Sequence, residues 1–199
     1  MAETTGPERG FTLVRTLDAP PEQVYQAWTD PDHLQWFFNP AAPIPSEPIE
    51  LDLRVGGAWR QKMVINDELE YVTGGIYLEI VPGEKLVFMF GASDGWPKID
   101  ADRPEDGPVV TILLNAVGDK TEMILQLSLP AHLSDEQVRE WLATGMREGW
   151  GDTIDRLVAA FAGAAVRSGQ HFSRISGSFR HRHHLVAAIP FPILSAALL

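Results

Sequence analysis

The chain has 199 residues, no cysteine and a formal net charge of −11, which excludes disulfides, thiolate metal sites and cysteine nucleophiles. That length suits one core plus an appendage, because about 150 residues already bury roughly two-thirds of the surface of the unfolded chain. Residues 1–163 carry 12 basic against 27 acidic side chains, whereas residues 164–199 carry four arginines and no acid; the acidic body repels phosphate backbones, so no nucleic-acid partner is expected.

Residues 1–10 hold Glu3 and Glu8 and no apolar run. They read as an extension rather than a signal peptide, and a cytoplasmic protein is expected. Phe11 to Leu17 reads as a first strand, and Pro20-Pro21 closes it and suits the opening of a helix over Glu22 to Trp28. Asp30 then caps a second short helical turn, with Pro31 at its first position and Leu34 and Trp36 inside it. After the proline-rich loop Asn39 to Pro48, Ile49, Leu51 and Leu53 alternate with Glu50, Asp52 and Arg54, which predicts a strand.

Gly56-Gly57 turns the chain into Ala58 to Ile65, whose alternation places Trp59, Gln61 and Met63 on one face and Arg60 and Lys62 on the other. No helix follows these glycines, so they are no phosphate cradle. Glu70 to Val81 is the next strand, expected to set Ile76, Leu78 and Ile80 against Tyr77 and Glu79. Lys85 to Gly91 points Leu86, Phe88 and Phe90 to one side; the long acidic loop Ala92 to Pro108, with Trp96 in it, is a candidate lid. Val109 to Asn115 and Thr121 to Leu129 form a last hairpin facing Val110, Ile112, Leu114, Met123, Leu125 and Leu127 inward.

Ser134 with Gln137 is a capping-box pattern. From there a single amphipathic helix is expected to run to about Ala162 and stop at Gly163, with an apolar stripe through Val138, Met146, Trp150, Ile154 and Leu157. Residues 164–199 change composition and carry Arg180-His181-Arg182-His183-His184 before an apolar end broken by Pro190 and Pro192. That end is too short to span a bilayer, so no membrane span is expected and the tail reads as a disordered or non-native extension.

Several motifs, in their order and spacing, resemble the activator-of-heat-shock-chaperone-ATPase-like (AHSA-like) family of the START and birch-pollen-allergen-like superfamily. They are Asp18-Ala19-Pro20 with Val24, Trp28 and Thr29-Asp30-Pro31; Asp52-Leu53-Arg54-Val55-Gly56-Gly57; Gly75-Ile76-Tyr77-Leu78-Glu79-Ile80-Val81-Pro82; and Gly149-Trp150 with Leu157. The resemblance covers about Phe11 to Phe161 and implies an α+β helix-grip fold: a curved antiparallel sheet around a long C-terminal helix, with two short helices after the first strand. It also implies a cavity for apolar molecules, a stress-related chaperone partner as in the family's namesakes, or polyketide cyclisation as elsewhere in the superfamily.

Alternation and helical spacing nominate a ligand cavity between sheet and helix. It takes Trp36 and Phe38 from the second short helix, Trp59 and Met63, Phe88 and Phe90, then Leu114 and Leu125, and finally Met146 and Trp150, with Trp96 as a cap. Of the run Trp36-Phe37-Phe38, Phe37 is expected to be the exposed member. The histidines before the tail, His33 and His132, lie in no nucleophile or ligand motif. Arg54, Arg60 and Glu79 alternate outward. No catalytic residue, metal or cofactor is therefore assigned, and the expected activity is non-enzymatic binding of a small apolar molecule, with chaperone regulation or cyclase chemistry as alternatives.

Overall fold

The computed structural model describes residues 8–66, 69–92, 102–103 and 106–168. Strand β1 (Gly10–Leu17) leads into helix α1 (Pro21–Thr29) and a 3-10 helix (Pro31–Phe37). Six strands follow: β2 (Glu50–Leu51), β3 (Ala58–Asn66), β4 (Leu69–Val81), β5 (Lys85–Ala92), β6 (Val109–Val117) and β7 (Lys120–Ser128). Helices α2 (Asp135–Leu142) and α3 (Met146–Ser168) complete the order. All seven strands join one antiparallel curved sheet in the order β1-β7-β6-β5-β4-β3-β2, so β1 and β2 are its open edges.

The sheet forms where the sequence alternates. Val110, Ile112 and Leu114 on β6 and Met123, Leu125 and Leu127 on β7 are all buried against Val24, Trp28, Ile154 and Leu157 of the helices. Burying a side chain of that size is worth about 1.5–3 kcal/mol. The Asp30 carboxylate caps the 3-10 helix by accepting from the Asp32 amide, 3.0 Å away. Thr121 on β7 ties the strand hairpin to the start of α1: its fully buried hydroxyl donates to the Ala19 carbonyl at 2.7 Å. Thr121→Val leaves that carbonyl without a partner and is expected to cost about 1–3 kcal/mol, read as a lowered urea midpoint.

Four expectations are corrected by these coordinates. The strand through Ile49 and Leu53 shrinks to Glu50–Leu51, because the chain coils at once into the turn in which Gly57 donates to the Arg54 carbonyl. On β4, Tyr77 pairs with Phe88 and shares the inner face with Thr73 and Gly75, whereas Ile76 pairs with Met89 on the outer one; the register on β5 then shifts between Tyr77 and Glu79, with Leu78 at the irregularity. The single long helix is two. The Ser134 capping box opens α2, but Gly145 adopts φ +81° and breaks the helical path before Met146. Helix α3 also continues past Gly163 to Ser168. The tail from residue 169 and Trp96 lie outside the described residues. Among the described residues, no helix is long and apolar enough to cross a membrane.

Candidate functional site

Helix α3 lies on the concave face of the sheet, and an aromatic cluster occupies the space between them. Trp150 of α3 meets Phe90 at 5.2 Å, Phe37 at 6.0 Å and Phe88 at 6.5 Å between ring centroids. Trp59 meets Phe88 edge-on at 5.8 Å, and Trp28 meets Trp36 edge-on at 4.9 Å. These offset and edge contacts are the geometries that aromatic quadrupoles favour. Gly75 makes room for them: directly across from Trp59 in the ladder, it lies beneath the Trp59 indole, whose Nε1 stands 2.5 Å from where a Cβ would be.

The 3-10 helix enters this cluster as a plug. Three residues per turn bring Leu34 and Phe37 into line, so Phe37 is buried at 7% exposure rather than exposed, which corrects the expectation above. Trp36 turns the other way and donates from Nε1 to the Ala27 carbonyl at 2.9 Å, while Phe38 leaves the helix extended and half-buried. Arg156 of α3 fastens the plug. Its guanidinium donates to the Trp36 carbonyl at 3.1 Å, the Phe37 carbonyl at 3.0 Å and the Thr153 hydroxyl at 3.0 Å, meeting carbonyls that the helix end leaves free.

The gap is almost filled. Among the described residues a cavity of about 20 Å³ lies there, bounded by Trp59, Gln61, Tyr77 and Phe88 of the sheet, by Trp28 of α1 and by Leu34 and Phe37 of the plug, together with Leu51 and Leu86. That is room for about one water, whereas a benzene-sized guest needs roughly 150 Å³. Of the sequence-nominated set, Trp59 and Phe88 line the cavity. Trp36, Met63, Leu114, Leu125, Met146 and Trp150 are buried in the surrounding core, and Phe38 and Phe90 are partly buried against it.

Two polar atoms stand out: Trp28 Nε1 and Gln61 Oε1 are buried without a hydrogen-bond partner, and both residues line the cavity. Gln61 is 3% exposed, and its amide nitrogen reaches only the Met63 sulfur at 3.1 Å, a weak acceptor. Each unpaired buried group costs about 1–3 kcal/mol. Trp28, Leu34, Phe37, Leu51, Gln61, Tyr77 and Leu86 line the cavity outside the nominated set. The four-residue step from Val24 to Trp28 was a usable signal for the first; Tyr77 lies in phase with Thr73 and Gly75, a face that the alternation of Ile76, Leu78 and Ile80 hides because the register slips after Tyr77.

Burial pushes the Tyr77 phenol well above its ordinary value of 10.0, with the nearby Tyr25 phenol acting in the same direction. Tyr25 and Tyr71 are raised by burial too, Tyr71 less freely because Arg156 opposes the shift. A raised phenol stabilises the fold at any pH below the unfolded value near 10, and that contribution is lost as pH climbs through the folded value. Urea midpoints are therefore expected to fall above about pH 10, and Tyr77→Phe to flatten the fall; an equally steep fall in the variant would remove Tyr77 as its cause. Among the described residues, the histidines and the charged side chains singled out above form no second centre. His33 and His132 are more than half exposed beside Asp30 and Asp106, Arg54, Arg60 and Glu79 are exposed, and among the described residues no three or more of His, Cys, Asp and Glu are placed to hold a metal.

A profile of the family described as "Activator of Hsp90 ATPase homolog 1-like protein" matches residues 18–162. The chain belongs to this family. Its helix-grip fold is similar to that of protein Ms6760 from Mycobacterium smegmatis, with a TM-score of 0.62 and 17% identity over 81% of this chain and 98% of that one. Protein CV1439 from Chromobacterium violaceum is similar with a TM-score of 0.54 and 27% identity over 77% of this chain and 97% of that one. Protein NE0264 from Nitrosomonas europaea is similar with a TM-score of 0.60 and 21% identity over 81% and 99%. No curated protein matches the chain by sequence.

Proposed function

We propose that this protein is a cytoplasmic, non-enzymatic binder of a small apolar molecule bearing one hydroxyl or phenol, held between sheet and α3 by residues 11–163. The observation that carries this reading is the orphan pair: an unpartnered donor, Trp28 Nε1, and an unpartnered acceptor, Gln61 Oε1, on one aromatic-walled cavity. A hydroxyl both accepts and donates, so it is the group whose chemistry matches both atoms, while the rest of the guest buries apolar area at about 25 cal/mol per Å². The polar groups of the cavity wall are an amide, two indoles and a phenol raised by burial. None of them changes charge near neutral pH, which favours binding over acid–base turnover.

A matched pair of probes tests the reading. 1-Naphthol is expected to bind about tenfold or more tightly than naphthalene, by tryptophan fluorescence titration, because only the former pairs the orphaned atoms. Trp28→Phe keeps the aromatic wall and removes the donor, so it is expected to shrink that ratio. Equal affinity for the two probes, or an unchanged ratio in Trp28→Phe, would rule the site out. Association with a heat-shock chaperone that weakens with salt, in a protein that binds neither probe, would favour the interaction reading through its acidic surface.

A further inference from the structure

One residue borders both the aromatic cavity and a groove on the outside of the sheet. A groove of about 300 Å³ lies at the β3 end of the sheet, bounded by Glu47, Pro48 and Glu50, by Arg60 and Lys62, and by Glu70, Tyr71 and Val72 of β4, together with Gln61. Gln61 alone lines both this groove and the interior cavity. The register explains how. Lys62 faces Val72 on the outer side of the sheet, whereas Gln61 and Met63, facing Thr73 and Tyr71, belong to the inner side. Strand β2 pairs only with Trp59 and Arg60, so among the described residues β3 has no strand on its outer edge from Gln61 onward. The groove wraps that free edge, and Gln61 is the residue it shares with the aromatic interior.

From this arrangement we infer that the apolar guest reaches the cavity over the free edge of β3, with Gln61 as the barrier it displaces; the inference rests on the binding reading above. Gln61 is poorly held inside, through one nitrogen-to-sulfur contact and an acceptor with no partner. Swinging outward gives its amide water in the groove and clears the way beside Trp59, Tyr77 and Phe88. The same motion therefore opens the path, and its reversal brings Oε1 back to the hydroxyl of the guest.

Stopped-flow association of 1-naphthol, followed by tryptophan fluorescence, tests the route separately from the site. Gln61→Ala removes the barrier and is expected to raise the association rate constant about tenfold, the gain for a site open about a tenth of the time that becomes permanently open. Val72→Trp narrows the groove without touching the cavity. It is expected to slow association and dissociation by the same factor, ~fivefold, leaving the dissociation constant unchanged; if Gln61→Ala does not fold, this variant decides alone. Wild-type association rates in the folded variants would overturn the route. The site itself is judged by Phe88→Ala: if that change leaves 1-naphthol affinity untouched, the guest is not in the cavity, and the route falls with the binding reading.

Discussion

Trp150→Ala is expected to lower the unfolding free energy by about 3–5 kcal/mol, the cost of deleting a large aromatic side chain from a core that cannot fully collapse. The indole is 4% exposed and is the part of α3 that touches the sheet aromatics Phe88 and Phe90 and the plug aromatic Phe37 together. Removing it therefore loosens three elements at one point. Trp150→Phe retains a ring on the same contacts and is expected to lose less than half as much. Urea unfolding with an unchanged slope and a lower midpoint is the measurement. A loss below about 1 kcal/mol for the alanine variant would mean that the helix does not depend on this contact to stay on the sheet.

Gly75→Ala is expected to be comparably damaging, by ~3 kcal/mol or more, although it adds a single methyl group. A Cβ at this position collides with the Met89 carbonyl of β5 on one side and with the Trp59 indole on the other. Neither can retreat cheaply, because one is backbone in the middle of the ladder and the other is a ring packed against Phe88 and Phe37. The damage should reach the cavity as well. Near-ultraviolet circular dichroism, which reports the asymmetric packing of buried tryptophans, is expected to weaken together with the urea midpoint. An alanine variant with wild-type midpoint and spectrum would show that the indole has room to move that the packed ladder does not provide.

The loop before β6 illustrates how far local reading extends. Alternation along β5 sends Phe88 and Phe90 inward and Met89 outward, yet Met89 is 1% exposed. A Cβ at Gly107 would stand 2.8 Å from the Met89 side chain, so the end of the acidic loop lies on the outer face of the sheet, opposite the cavity. The rest of that loop, with Trp96, lies outside the described residues. Period-two patterning reports which residues share a side. It does not report what later covers that side.

Much of this protein was determined by its sequence acting locally. Alternation set the faces of β1, β6 and β7, Asp30 and Ser134 supplied caps to the amide groups that follow them, and the ordered motifs from Asp18 to Leu157 placed the chain in its family. Such features depend on residues one to four positions apart, where dihedral preference and side-chain reach decide the outcome. Tertiary structure alone decided the remainder. Tyr77 faces inward because β4 pairs it with Phe88 in the register that sets Gly75 against Trp59, α2 and α3 part where Gly145 takes a positive φ, and Phe37 is buried because Arg156, 119 residues further on, holds the carbonyl end of its helix. The candidate site is of the same kind. Trp28 and Gln61 each carry an ordinary side chain, and only the closing of sheet, plug and helix over both removes their water and leaves a donor and an acceptor unpaired on residues that line one small cavity.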